Sequence, residues 1–189
     1  MKYESGGHAV YDVKTLTRLP KSLDPHYIST RQSDTSLAFF TGLCPLSNFF
    51  ECNLTVAGES YHSVEQFYQM NKAQTAGDEH SVARILAAKT PLECKNLGDK
   101  VKLGTKAALW DKSCLNIMRL ALQQKIAQND VVRKFLVDTG TKQLGEANGN
   151  DTFWGTGIAL SKLNSANPAN WRGENKLGLL LMELRETLK

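Results

Sequence analysis

Residues 61–77 read YHSVEQFYQMNKAQTAG, and the architecture of the chain follows from this stretch. Ser63 and Gln66 stand at the N-cap and N3 spacing of a capping box, so a helix opens at Ser63. Val64, Phe67, Tyr68 and Asn71 recur at i, i+3, i+4, i+7 as a mostly apolar stripe, and Gly77 supplies a C-terminal stop. Glu65, Gln69 and Lys72 form a second stripe at i, i+4, i+7, within reach of one another on one face. On a peripheral helix such a stripe is a solvated charge ladder. Here Tyr61-His62 lead in and Phe67 and Tyr68 lie on the helix, which makes it central and sets its polar stripe in a partly desolvated cleft.

Upstream, LAFFTG (37–42) is a short apolar strand closed by Gly42. Asn53 to Val56 alternates as a second strand, and Ala57-Gly58-Glu59-Ser60 reads as a turn. Downstream, a helix spans Glu79 to Ala88. Thr90-Pro91-Leu92-Glu93 is a further capping box with proline at N1, and its helix ends at Gly98. A longer helical stretch covers Thr105 to Gln128, with a break expected near Asp111. Asn129 caps a helix through Asp138 that Gly140 stops, and Lys142 to Ala147 reads as a strand. Residues 148–175 are rich in Gly, Asn and Trp and lack helical period. The last helix carries Leu177, Leu180, Leu181, Leu184 and Leu188 on one face. The sum is an α+β fold, predominantly helical, with a few short strands. The compact domain is expected over 37–189, preceded by a partly irregular N-terminal extension over 1–36.

At 189 residues the chain suits one domain. Its 41% hydrophobic and 22% charged residues are ordinary for a globular protein. A net charge of +4 permits an anionic ligand but falls short of a nucleic-acid-coating protein. No apolar run approaches the ~18 residues of a membrane span, and MKYESGGHAVYDVKTL has no signal-peptide core. Cys44, Cys52, Cys94 and Cys114 form no CxxC pair and point to a reducing, cytoplasmic setting, in which Asn53-Leu54-Thr55 is a chance glycosylation match. The histidines show neither HxH nor HExxH spacing, so no metal site is expected. GxGxxG and GxxxxGK are both absent, which excludes Rossmann and P-loop nucleotide binding.

Three places hold polar or aromatic groups that a simple core does not need. Ser47-Asn48-Phe49 offers hydroxyl, amide and backbone donors beside an aromatic wall, or else closes a turn on its own backbone. In the second, the Glu65, Gln69, Lys72 stripe, the carboxylate suits stabilisation of a cationic transition state or orientation of water. The amine suits phosphate binding or, when neutral, attack on a ring-opened sugar aldehyde. In the third, Glu146 and Asp151 flank a flexible loop ahead of Trp154-Gly155-Thr156-Gly157. Trp154 can stack a base, worth about 1–3 kcal/mol, and the glycines let amides approach an anion; the plain alternative is a surface turn anchored by a buried Trp154. Trp110 and Trp171 read as structural anchors, and Arg172 can hold phosphate beside the start of the last helix.

One ordered series of residues resembles a known family. It runs Ser47-Asn48-Phe49; Tyr61, Ser63, Glu65-Gln66, Tyr68-Gln69 and Lys72-Ala73; Leu97-Gly98, Trp110 and Met118; Leu136 with Thr139-Gly140. It continues through Glu146, Asp151, Trp154-Gly155 and Gly157 to Gly173, Asn175, Leu177-Gly178, Leu181-Met182 and Leu184-Arg185. This pattern, covering 37–189, is similar to the NADAR (YbiA-like) family. The resemblance implies a compact YbiA-like fold and metal-independent, cofactor-free cleavage of N-glycosidic bonds. It implies catalytic roles for Glu65, Lys72 and Asp151, and substrate contacts from Ser47, Asn48, Phe49, Gln69, Trp110, Glu146, Trp154, Gly155 and Asn175. The substrate class expected first is ADP-ribose-bearing guanine in DNA, RNA or a free nucleotide, with no membrane partner. The second is a phosphoribosylamino-pyrimidine intermediate of riboflavin synthesis. A module that binds ADP-ribose or NAD without cleaving it is the non-enzymatic alternative. The enzymatic readings require the Ser63 helix and the Trp154 loop to converge, with their acids around one sugar carbon.

Overall fold

A computed structural model describes residues 28–188. The chain begins with β1 (Thr30–Gln32), β2 (Ser36–Phe39), β3 (Leu54–Val56) and β4 (Glu59–Tyr61), followed by α1 (Val64–Ala76), α2 (Glu79–Ala87) and α3 (Pro91–Gly98). A short 3-10 turn (Gly104–Lys106) leads into α4 (Ala107–Gln128), then α5 (Asp130–Asp138), β5 (Gln143–Glu146) and α6 (Lys176–Glu186). The architecture is the helix-dominated α+β fold expected from sequence. For residues 1–27 the expected irregular extension lies outside the described residues, whereas Thr30–Gln32 of the same stretch adds an edge strand.

β2 is the middle strand of a three-stranded sheet. It pairs antiparallel with β1 (Thr30 opposite Phe39) and parallel with β5 (Ser36 opposite Gln143, Phe39 opposite Glu146). All four of its residues are buried, the polar Ser36 included, so burial does not alternate along the strand. β3 and β4 form a separate hairpin with Leu54 opposite Tyr61. The turn expected over 57–60 is shorter: Ala57 and Gly58 both adopt positive φ, at 51° and 88°. Two such residues make a tight hairpin turn, which frees Glu59 and Ser60 to pair as strand.

α1 starts as its sequence dictates, with Ser63 Oγ accepting the N–H of Gln66 at 3.1 Å. The Gln66 side chain reaches one residue past the cap, accepting from His62 N at 2.9 Å, and its Nε2 donates to the Ile85 carbonyl of α2. Gly77 ends the helix in the left-handed conformation at φ 74°. The capping box of Thr90 and Glu93 starts α3 with Pro91 at its first position. α4 is continuous, and the break expected near Asp111 does not occur. Asp111 is exposed, while Trp110, Cys114, Met118, Leu122 and Lys125 keep one buried stripe running past it. Asn129 occupies the cap position of α5 but makes no capping bond; its Nδ2 donates instead to the carbonyls of Asn53 and Lys125, tying the hairpin to α4.

The core lies where α1 packs between α2, α3 and α4, and where α6 covers β5. Leu177, Leu180, Leu181 and Leu184 of α6 are buried, each worth about 1.5–3 kcal/mol of burial. α6 sits so close that a Cβ on Gly178 would lie 2.1 Å from the Leu144 carbonyl oxygen. Among the described residues no helix is long and apolar enough to cross a membrane, and the four cysteines are free.

Candidate active site

One wall of the site is the first two turns of α1. The Glu65 N–H donates to the Asn48 carbonyl at 3.1 Å, which fastens the 46–50 loop to the start of the helix. One turn on, Gln69 Nε2 donates to Glu65 Oε1 at 2.8 Å. Both side chains are almost fully buried, at 6% and 5% exposure. The oxygen of the same amide, Gln69 Oε1, is buried without a hydrogen bond, and so is Asn48 Oδ1. Two unmet acceptors beside a buried carboxyl are suited to a ligand that brings hydroxyl or amine donors. α3 ends in glycine for a reason visible here: a Cβ on Gly98 would lie 1.9 Å from Gln69 Oε1. The carbonyl of Gly98 accepts from Lys72 Nζ at 3.0 Å, so Lys72 is held against α3 rather than ion-paired with Glu65. Burial lowers the Lys72 pKa, against the opposing charge of Asp99.

The other wall comes from β5 and the loop after it. Glu146 is the last residue of β5, and its N–H donates to Asn175 Oδ1 at 3.1 Å. Asn175 Nδ2 donates to the Leu144 carbonyl at 2.8 Å. Asn175 reaches both groups from a left-handed backbone (φ 52°) at the entry to α6. Its amide is therefore spent on fixing the end of β5. Asp151 Oδ1 accepts the N–H groups of Phe153 (2.9 Å) and Trp154 (2.8 Å), a local turn that presents the indole. Gly155 passes so close to this turn that a Cβ would lie 2.9 Å from the Asp151 carbonyl and 3.0 Å from that of Glu146.

Aromatic contacts join the walls. Trp154 Nε1 donates to Tyr68 OH at 3.3 Å, with the rings edge to face at 5.5 Å. Tyr68 also packs on Trp110 of α4, centroids 5.0 Å apart, and Phe153 stacks edgewise on Trp154. The acids are thereby brought within electrostatic reach of one another. Burial pushes the Glu65 carboxyl up to about 7, opposed by the Gln69 hydrogen bond and Lys95 and reinforced by Asp99 and Asp151. Burial pushes Glu146 up to about 8, reinforced by the charges of Asp151 and Glu65. Two neighbouring carboxyls that exchange protons near neutrality can divide acid and base duties.

Of the residues singled out from sequence, Glu65, Gln69, Glu146, Asp151, Trp154 and Gly155 converge on this region. Asn48 joins them through its carbonyl and its buried side chain. Lys72 borders it on Gly98, and Trp110 supports it from beneath Tyr68. Ser47 behaves as the plain turn reading has it: its hydroxyl accepts from Phe49 N at 3.1 Å. Phe49, half-buried, follows in that turn.

Two contributors were not singled out. Tyr68 stands in the apolar stripe and in the family series without a site role, yet its hydroxyl receives the indole N–H. Lys125 is wholly buried and donates to the Ser47 carbonyl at 2.6 Å, with Nζ 5.4 Å from the centre of the Phe50 ring. Burial lowers its pKa to about 8, against the charges of Cys52 and Cys44. The available signal was a lysine inside the apolar stripe of α4, between Leu122 and Ile126.

The NADAR domain matches residues 39–189 of the chain. Among curated proteins, Protein irg-1 of Caenorhabditis elegans is 29% identical over 177 residues, covering 86% of this chain and 84% of that protein. N-glycosidase YbiA of Escherichia coli is 32% identical over 143 residues, covering 75% of this chain and 79% of YbiA. The NMR structure of E. coli YbiA superposes with a TM-score of 0.66 at 27% identity, covering 87% of this chain and 90% of that one. The riboflavin biosynthesis protein VVA0006 of Vibrio vulnificus is 29% identical over 144 residues, 76% of this chain but 35% of that protein. With the family match running from the end of β2 through α1, β5 and the acid loop to α6, the chain belongs to the NADAR domain family.

Proposed function

We propose that the chain is a hydrolase of N-glycosyl bonds which removes ADP-ribose from guanine bases in nucleic acid or free nucleotides. The observation that carries this reading is a pair of carboxyls beside Asp151, Glu65 buried and Glu146 half-buried at the end of β5, both raised toward neutral pH by loss of solvent. Cleaving a C1′–N bond builds positive charge on the ribose and negative charge on the departing nitrogen. Glu65, as carboxylate, offsets the first. Glu146, as neutral acid, protonates the departing nitrogen as it takes the bonding electron pair. Water then bonds to C1′ and yields its proton to Glu65. Asp151 holds a ribose hydroxyl, and Asn48 Oδ1 and Gln69 Oε1 take further hydroxyl or amine donors. Trp154 stacks the adenine or the leaving base. Lys72 supplies positive charge at the rim, where Gly98 anchors it.

A binding module gains nothing from a costly buried carboxyl with a second raised one beside it, which favours the enzymatic reading. The relationship to N-glycosidase YbiA supports the bond class. The likeness to a riboflavin biosynthesis protein favours a second substrate, a phosphoribosylamino-pyrimidine, which presents the same C1′–N bond. The test is a parallel assay of guanine-ADP-ribosylated oligonucleotide and phosphoribosylamino-pyrimidine under identical conditions. Release of free ADP-ribose from the first is the expected result. Cleavage of the pyrimidine alone reverses the order, and tight ADP-ribose binding without turnover of either returns the chain to the binding-module reading.

A further inference from the structure

The loop that carries Asp151 and Trp154 also builds a groove of about 730 Å³, lined by Gly157, Ile158, Lys162, Asn164, Trp171 and Arg172 among others. That volume suits a ligand of nucleotide size. No acidic residue lines the groove, and neither Lys162 nor Arg172 takes part in an ion pair among the described residues. Trp171 is fixed by its indole N–H, which donates to the Ser165 carbonyl at 2.9 Å. The groove is rigidly joined to the acid turn: Gly157 N donates to the Asp151 carbonyl at 3.2 Å and Arg172 N to the Thr156 carbonyl at 2.8 Å. Two unpaired cations, an indole and a wall with no carboxylate match one ligand chemistry, phosphate on a nucleotide-sized body.

We propose that this groove binds phosphate through Lys162 and Arg172, and so holds the phosphate-bearing part of the substrate while the neighbouring acids act on its ribose. The second clause rests on the N-glycosidase reading; the binding itself does not. The phosphate has two available sources, the diphosphate of the nucleotide being removed and the phosphodiester backbone of the strand that bears it.

The test uses ADP and an unmodified single-stranded oligonucleotide as probes, titrated calorimetrically against the full chain. Lys162→Glu, Arg172→Glu and the double variant are compared with wild type, with thermal melting as the check on folding, since both side chains are exposed. The expected result is a loss of roughly tenfold or more in affinity for the double variant. For the oligonucleotide, the salt dependence falls by about one ion per cation removed. A loss confined to ADP assigns the groove to the diphosphate, and a loss confined to the oligonucleotide assigns it to the backbone. Unchanged affinities in folded variants, or no binding of either probe to wild type, overturn the proposal. Glu65→Gln, titrated in parallel, is expected to bind both probes as wild type does. If Glu65→Gln retains full turnover while the charge reversals still abolish binding, the catalytic reading fails and the groove assignment stands.

Discussion

Gln69 donates to the Glu65 carboxylate at 2.8 Å, and the same amide leaves no room for a side chain at Gly98. Three residues on two helices, Glu65 and Gln69 of α1 and Gly98 of α3, thus bear on the charge state of one acid. Burial works against the Glu65 carboxylate, and this hydrogen bond is the largest group-specific influence in its favour.

Replacing Gln69 by Leu removes that donor. The acid limb of the activity profile is expected to move to higher pH by about half a unit or more. Gly98→Ala, which must push the Gln69 amide aside, is expected to move it the same way. A pH–rate profile of each variant makes the measurement, and an unmoved limb would separate Glu65 from catalysis.

The wild-type profile itself is expected to be bell-shaped. Activity rises as Glu65 loses its proton near pH 7 and falls as Glu146 loses its own near pH 8. Because these groups interact, the two limbs describe the pair. Glu146→Gln abolishes the alkaline limb along with most of the rate, by about 10² to 10⁴-fold if Glu146 is the proton donor. Glu65→Gln abolishes turnover yet keeps most affinity for ADP-ribose, since its charge matters chiefly in the transition state.

Reductive trapping separates two routes. Passage through an oxocarbenium ion leaves the protein unmodified by cyanoborohydride during turnover. Mass spectrometry that finds a ribosyl adduct on Lys72, whose pKa burial already lowers, would replace this route by Schiff-base attack.

Lys125 gives a prediction about stability. Its folded-state pKa of about 8 lies below the ordinary 10.5, so across that interval the unfolded chain binds more protons and stability rises with pH. Lys125→Met removes this rise, measurable by denaturant titration at several pH values. It also leaves the Ser47 carbonyl without its donor. The loop that receives the Glu65 N–H through Asn48 then loses its support, and the rate constant is expected to fall by roughly tenfold.

Gly178→Ala drives a methyl group into the Leu144 carbonyl, a backbone atom with no way to yield. A loss of about 3 kcal/mol is expected on chemical denaturation, at the upper end of overpacking costs.

Elements bounded by local chemistry were legible in the sequence. Ser63 and Gly77 bracket α1, and Thr90 and Gly98 bracket α3, because caps and stops act within a few residues. The Glu65–Gln69 contact followed from i, i+4 spacing. β4 was not legible, since Glu59 and Ser60 are exposed polar residues whose strand pairing depends on the turn geometry before them. The parallel pairing of β2 with β5 leaves no local mark, because most of the chain intervenes. The hold of the Asn175 amide on β5 leaves no local mark either, because it depends on a left-handed backbone at the entry to α6. Lys125 is not legible because a lone cation in an apolar stripe reads as an interruption, and the Ser47 carbonyl it meets lies far away in sequence.

The pairing of Phe39 with Glu146 has a consequence for biosynthesis. While a ribosome is still making the helical middle of the protein, β2 has one edge waiting for a partner not yet translated. Glu146 and the loop behind it emerge only afterwards, so the proposed catalytic centre is among the last parts to assemble. A nascent chain stalled before β5 would carry α1 and its Glu65, but neither Glu146 nor Asp151, and would expose a sticky strand edge of the kind chaperones guard.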